Sequence, residues 1–172
     1  MSIDTAPAAT VRAPRAMSGW RLVFDLFKLR IGIAIGATAL AGVGLAWLAA
    51  NPMAALHTAL GAFTYGVVYT VWLKRRTAWN IVIGGAAGSF AVLAGAAAVD
   101  GGVPDATTIA FAVVLFLWTP PHFWSLAIAY RDDYAAARVP MLPVVVGDAA
   151  AARAVFVGAA MLVAASIVPA FL

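Results

Sequence analysis

Five apolar runs of about twenty residues, at 31–50, 53–73, 79–99, 107–130 and 149–172, leave this chain few ways to fold. Inside a bilayer every backbone N–H and C=O must be paired within the protein, so only helices and closed barrels cross it. Each run is about twice the length that a barrel strand needs and matches a helix spanning the hydrocarbon layer. The expectation is therefore an all-α, polytopic transmembrane helix bundle of about five spans. With 65% hydrophobic and 10% charged residues, the chain lies far from soluble domains, where about a quarter of the residues carry charge.

Residues 1–19 hold Ala, Pro, Thr, Ser and two arginines without an apolar core of the signal-peptide kind, and read as a disordered basic tail. Residues 20–172 form the membrane domain. The first run has no small-residue cleavage site with a mature domain behind it and is read as a retained span. Cysteine is absent, which removes disulfides, thiolate metal sites and thiol nucleophiles.

A net charge of +4 invites comparison with nucleic-acid binders, but no base-reading or stacking pattern accompanies the basic residues. They follow membrane topology instead. Arg12, Arg15, Arg21, Lys28 and Arg30 precede the first run; Lys74, Arg75 and Arg76 follow the second; Arg131, Arg138 and Arg153 lie around the last connection. The Asn51 and 100–105 turns carry none. Because Lys and Arg concentrate in cytoplasmic loops, five alternating crossings place the N-terminus in the cytoplasm and the C-terminus outside.

The fourth run is the least ordinary. Trp118-Thr119-Pro120-Pro121-His122-Phe123-Trp124 sets two residues without an N–H and one imidazole within an apolar segment. The prolines are expected to interrupt the helix and free the carbonyls near Phe116 and Leu117. His122 fits two descriptions, a neutral imidazole bonded to a freed carbonyl or a functional group such as a haem ligand or general base. At 3.6 residues per turn, Trp118, His122, Ser125, Ala129, Asp132 and Asp133 share one face. From His122 to Asp133 that face covers roughly 16 Å, which predicts a path from a buried imidazole to interfacial carboxylates.

Asp132 and Asp133 read either as solvated loop charges or as a pair holding Mg²⁺ against a diphosphate, since Mg²⁺ takes one or two carboxylates and leaves its other places to water and phosphate. Lys74, Arg75 and Arg76 are explained by topology and equally suit a diphosphate clamp. Asn80 caps a helix or reaches the site, and His57 is read as structural. Gly84 with Gly88, and Gly32 with Gly36, have the small-xxx-small spacing of close helix contact. No Walker loop, GxSxG, HExxH or dinucleotide fingerprint occurs.

These residues together resemble a known family. Tyr69-Thr70-Val71-Trp72-Leu73-Lys74-Arg75-Arg76-Thr77 with Asn80 and Gly84-Gly85, then Trp118 to Trp124, then Asp132-Asp133-Tyr134 with Val139-Pro140-Met141-Leu142-Pro143, are similar to the protohaem IX farnesyltransferases, or haem O synthases, of the intramembrane aromatic prenyltransferase superfamily. The likeness runs from about Trp20 onward. It implies farnesyl transfer from farnesyl diphosphate to a vinyl group of haem B in the inner (plasma) membrane. Mg²⁺ would be the cofactor, haem B a substrate, and haem A synthase or oxidase assembly factors the partners in the bilayer.

By position in the family's motifs, Asp132 and Asp133 imply a catalytic, metal-holding pair, and Lys74, Arg75 and Arg131 the diphosphate-binding groups. His122 and Trp118 imply the haem contact, with His122 also catalytic. The family's first acidic motif, N-x-x-x-D-x-x-x-D, is absent, since neither Asn51 nor Asn80 has an aspartate four residues on. The text near Gly42 passes from that of the family's first helix to the end of its third. The chain thus resembles a shortened member, with about half the expected metal ligands and weakened or lost transfer when alone. The alternative from another class is a non-catalytic membrane haem-binding or oxidase-assembly protein.

Overall fold

The computed structural model describes residues 29–172, so the expected tail at 1–19 lies outside the described residues. Among those described, all regular structure is helical: α1 (Leu29–Ala49), α2 (Pro52–Phe63) running directly into a π-helical segment (Thr64–Leu73), α3 (Asn80–Asp100), α4 (Ala106–Ala129), α5 (Arg131–Ala136), α6 (Leu142–Val146) and α7 (Asp148–Ile167), then a 3₁₀ turn (Val168–Phe171). Residues 29–35 open α1 and belong to one unit; residues 36–172 form another, which holds every other element.

Among the described residues, four helices are long and apolar enough to cross a membrane: Ile31–Ala49, Asn80–Asp100, Ala106–Ala129 and Asp148–Phe171. The expected second span is helical throughout 52–73, but its winding changes from α to π at Thr64.

Side-chain register shows that neighbouring helices run antiparallel. Between α2 with its π extension and α3, Asn51 Nδ2 donates to Ala97 O at 2.6 Å, Gly61 meets Ala87 and Phe90, and Tyr69 meets Gly84. Between α3 and α4, Ser89 Oγ donates to Ala112 O at 2.8 Å, and Gly88 and Gly85 face Leu115 and Thr119. Between α4 and α7, Pro121 lies against Gly158. This order brings the 74–79 turn and the 130–147 connection to one end of the bundle and the 101–105 turn to the other.

The Gly84/Gly88 expectation holds, because both glycines admit a side chain of the facing helix. A Cβ at Gly84 would lie 2.7 Å from Tyr69 Cδ2 and 3.0 Å from Cγ. Gly84→Ala is therefore expected to cost about 1–3 kcal/mol of stability through overpacking, read as a lowered unfolding midpoint in detergent. At Gly36, by contrast, no described residue lies within 4 Å of a Cβ position.

Pro120 and Pro121 do not interrupt α4, contrary to expectation: the helix passes through both. Both rings are buried, and Pro121 packs against α7 at Gly158, where an added Cβ would stand 3.4–3.5 Å from the ring. Thr119 Oγ1 also donates to Leu115 O at 3.1 Å, holding the turn before the prolines. Packing on both sides thus maintains a helix whose backbone has lost two donors. At the far end, Asp105 caps α4 by accepting from Thr108 N at 2.7 Å. Hydrogen bonds from the Thr108 side chain, then its backbone, hold the Asp105 carboxyl below the usual range, so the cap fails only as pH falls through that lowered value.

The core sits at the end that carries the motifs. Ile81, Trp124, Ala127, Val139 and Met141 are buried together, with Tyr69, Phe123, Tyr134 and Val155 around them. The 130–147 connection is thus half core: Val139, Met141 and Pro143 turn inward, while Arg131, Asp132, Asp133 and Arg138 stay exposed.

Candidate functional site

On α4, one exposed strip joins the residues that the sequence singles out. Trp118, His122, Ser125 and Ala129 are all exposed, as their helical spacing predicts, and Asp132 and Asp133 continue the exposure on α5. The helix stops between them at Tyr130, whose φ of −113° and ψ of 30° break the register. Carboxylates and imidazole therefore stand on separate helices. The expected buried imidazole is corrected, since His122 lies on the outer surface of α4 because Pro121, Trp124 and Ala127 take the inner one.

Trp118 and His122 stack one turn apart, ring centroids 4.2 Å and planes 16° from each other, and Phe123 meets the imidazole edge-on at 5.1 Å. Among the described residues the imidazole makes no hydrogen bond, and its neighbour Ser125 Oγ donates to the His122 carbonyl at 2.7 Å instead. The stacked pair offers a flat aromatic surface, on which the imidazole keeps one ring nitrogen able to accept a hydrogen bond or ligate a metal. Trp118 also lines an apolar groove of about 610 Å³ between α3, α4 and α7, with Val92, Phe111, Leu115 and Leu162. That volume lies within the usual range of small-molecule sites.

At the other end of the strip, Asp132, Asp133, Arg131 and Asp148 line a polar pocket of about 410 Å³ with Ala129 and Tyr130. Arg131 Nη1 lies 3.5 Å from Asp148 Oδ2, both side chains about half exposed, so Arg131 pairs with neither Asp132 nor Asp133. Asp148 is the residue that sequence reasoning missed. Its signal was an acidic side chain in the first turn of a helix, following Gly147, a position ordinarily explained by the helix dipole.

The basic turn belongs to the same end of the bundle. Lys74 Nζ sits over the Tyr69 ring, 5.8 Å from its centroid, within cation–π range. Tyr69 in turn packs in the cluster that contains Tyr134 of the acidic helix. No ion pair links Lys74, Arg75 or Arg76 to an aspartate among the described residues, and those residues contain no group of three or more His, Cys, Asp or Glu able to hold a metal ion. Asp132 and Asp133 nevertheless suit an ion that takes one or two carboxylates and fills its remaining places from a bound phosphate.

Residues 27–172 match the UbiA prenyltransferase family. A protein named protoheme IX farnesyltransferase 2 from Paramagnetospirillum magneticum is 62% identical over 136 residues, which cover 78% of this chain and 46% of that protein. Protoheme IX farnesyltransferase 1 of the same organism is 58% identical over 75% of this chain and 45% of its own length. The Sulfurisphaera tokodaii protoheme IX farnesyltransferase is 52% identical over 66% and 38%. The chain thus spans about half the length of the curated relatives it matches. No solved structure matches it.

Proposed function

Since the chain belongs to the UbiA prenyltransferase family, we propose that it serves farnesyl transfer from farnesyl diphosphate to a vinyl group of haem B, forming haem O for terminal oxidases. The observation that carries this reading is the exposed strip that runs along α4 and resumes on α5, apolar groove at one end, exposed aromatic and imidazole rings in the middle, carboxylates at the other. One substrate is a long hydrocarbon with a charged head; the other is a flat aromatic disc. The strip offers matching chemistry to each.

In this reading the groove lined by Phe111, Leu115 and Trp118 takes the hydrocarbon chain, whose burial is favourable at about 25 cal/mol per Å². Trp118 and His122 contact the macrocycle by stacking and through an imidazole nitrogen. Lys74, Arg75 and Arg131 bind diphosphate oxygens, Arg131 exchanging its Asp148 partner for the ligand. Asp132 and Asp133 would hold Mg²⁺, which when bound offsets the charge on the leaving group. The C–O bond to diphosphate breaks with its electron pair leaving on oxygen, the vinyl carbons supply the pair for the new C–C bond, and water adds to the resulting cation with loss of a proton. Apolar walls keep water from the allylic carbon until that bond forms.

The topology accompanying this reading places the basic turn and the acidic pocket on the cytoplasmic side of the inner (plasma) membrane, with haem A synthase or oxidase assembly factors receiving the product. The test is the purified chain in lipid with haem B, farnesyl diphosphate and Mg²⁺, followed by chromatography of the haems. Haem O is the expected product, formed more slowly than by the longer relatives because the chain carries one acidic cluster. A haem-bound spectrum with no conversion would favour the non-catalytic haem-binding alternative.

A further inference from the structure

We propose that Asn80 is the positioning residue of the basic turn, fixing the backbone from which Lys74 and Arg75 project and so setting the affinity for diphosphate. The inference rests on the farnesyl diphosphate reading above. Asn80 is the first residue of α3 and is fully buried, at 0% exposure, next to the buried Ile81. A primary amide there is costly unless its hydrogen bonds are made.

Those bonds go to the turn. Asn80 Nδ2 donates to Thr77 O at 2.6 Å and, more weakly, to Lys74 O at 3.5 Å. Both partners are carbonyl oxygens, which only accept, so the NH₂ group must face the turn and Oδ1 must face away. One side chain therefore grips both ends of the segment 74–77. The backbone bonds of the turn are local: Lys74 N donates to Tyr69 O at 2.8 Å, Arg76 N and Thr77 N donate to Leu73 O at 2.9 and 3.3 Å, and Asn80 N donates to Thr77 O at 3.3 Å, while Trp79 N donates to Thr77 Oγ1 at 3.2 Å.

Asn80 Oδ1 is buried without a partner among the described residues, a cost that an apolar side chain of the same shape would avoid. The Nδ2 group, by contrast, donates only to carbonyls of the turn, so the bonds this side chain makes act on the backbone of 74–77.

The experiment compares Asn80→Leu and Asn80→Ser in the full chain in lipid nanodiscs, titrated with inorganic pyrophosphate and Mg²⁺ by calorimetry. Asn80→Leu is expected to weaken binding by about tenfold or more, equivalent to about 1.4 kcal/mol. Asn80→Ser keeps a donor able to reach the carbonyl three residues back and recovers most of the affinity. In a Lys74→Met/Arg75→Met background, Asn80→Leu has no further effect. Should the leucine variant not fold, Asn80→Ser against Asn80→Ala decides the same question. Wild-type affinity in Asn80→Leu, or an equal loss in the background lacking Lys74 and Arg75, overturns the proposal. Failure of the unsubstituted chain to bind pyrophosphate instead overturns the diphosphate reading itself.

Discussion

Replacing Asp132 and Asp133 together by asparagine is expected to lower haem O formation by at least about a hundredfold, the scale of losing preorganised charge stabilisation at a reacting centre. Asparagine keeps the shape and removes two negative charges. Neither carboxylate is in an ion pair among the described residues and both are exposed, so the fold loses little with them. An unchanged unfolding midpoint beside a collapsed rate would therefore assign the loss to chemistry. Titrating Mg²⁺ sharpens the result, since the variant should need far more of the ion for any residual turnover. Turnover equal to that of the unsubstituted chain removes the pair from the mechanism.

His122→Ala should fail differently. The imidazole stacks on Trp118 at 4.2 Å and stands away from the carboxylates on a separate helix. Its loss is expected to weaken haem binding, seen as a shifted and weaker Soret titration, while pyrophosphate binding stays as before. A variant that binds both ligands normally and still makes haem O would show that His122 is only a surface residue of α4.

How much of this was legible beforehand depends on which force decides each feature. Hydrophobic run length specifies the spans, and period specifies the exposed strip, because Trp118, His122, Ser125 and Ala129 follow from 3.6 residues per turn alone. The basic and acidic segments could be assigned to one end by counting crossings, and the register of the helices agrees. Local rules failed where tertiary packing won. Pro120 and Pro121 predict a break, but both rings are buried, Pro121 packs against α7 at Gly158, and the helix continues. The imidazole was expected inside because polar groups in spans usually face inward; the inward side of α4 is already filled by Pro121, Trp124 and Ala127. The Arg131–Asp148 pair joins residues 17 apart across a folded connection, and no pattern in the sequence announces it.

That folded connection is where the largest loss of stability is expected. Met141 is 2% exposed in the middle of a segment that reads as a polar, proline-containing loop, and it packs with Ile81 of α3 and with Trp124 and Ala127 of α4. Met141→Ala removes buried atoms from a site where three elements meet, so the walls have little freedom to collapse, and a cost of about 2–5 kcal/mol follows. The cost bears on function as well. Val139 and Met141 hold the connection against the bundle, and Tyr134 of the acidic helix packs on the same cluster. Loosening it should speed amide hydrogen exchange across 131–147 before the rest of the bundle is affected. Met141→Leu, which keeps the volume, should cost under about 1.5 kcal/mol. If alanine instead unfolds at the same denaturant concentration as the unsubstituted chain, the connection is not part of the core, and the placement of Asp132 and Asp133 must be maintained by α5 alone.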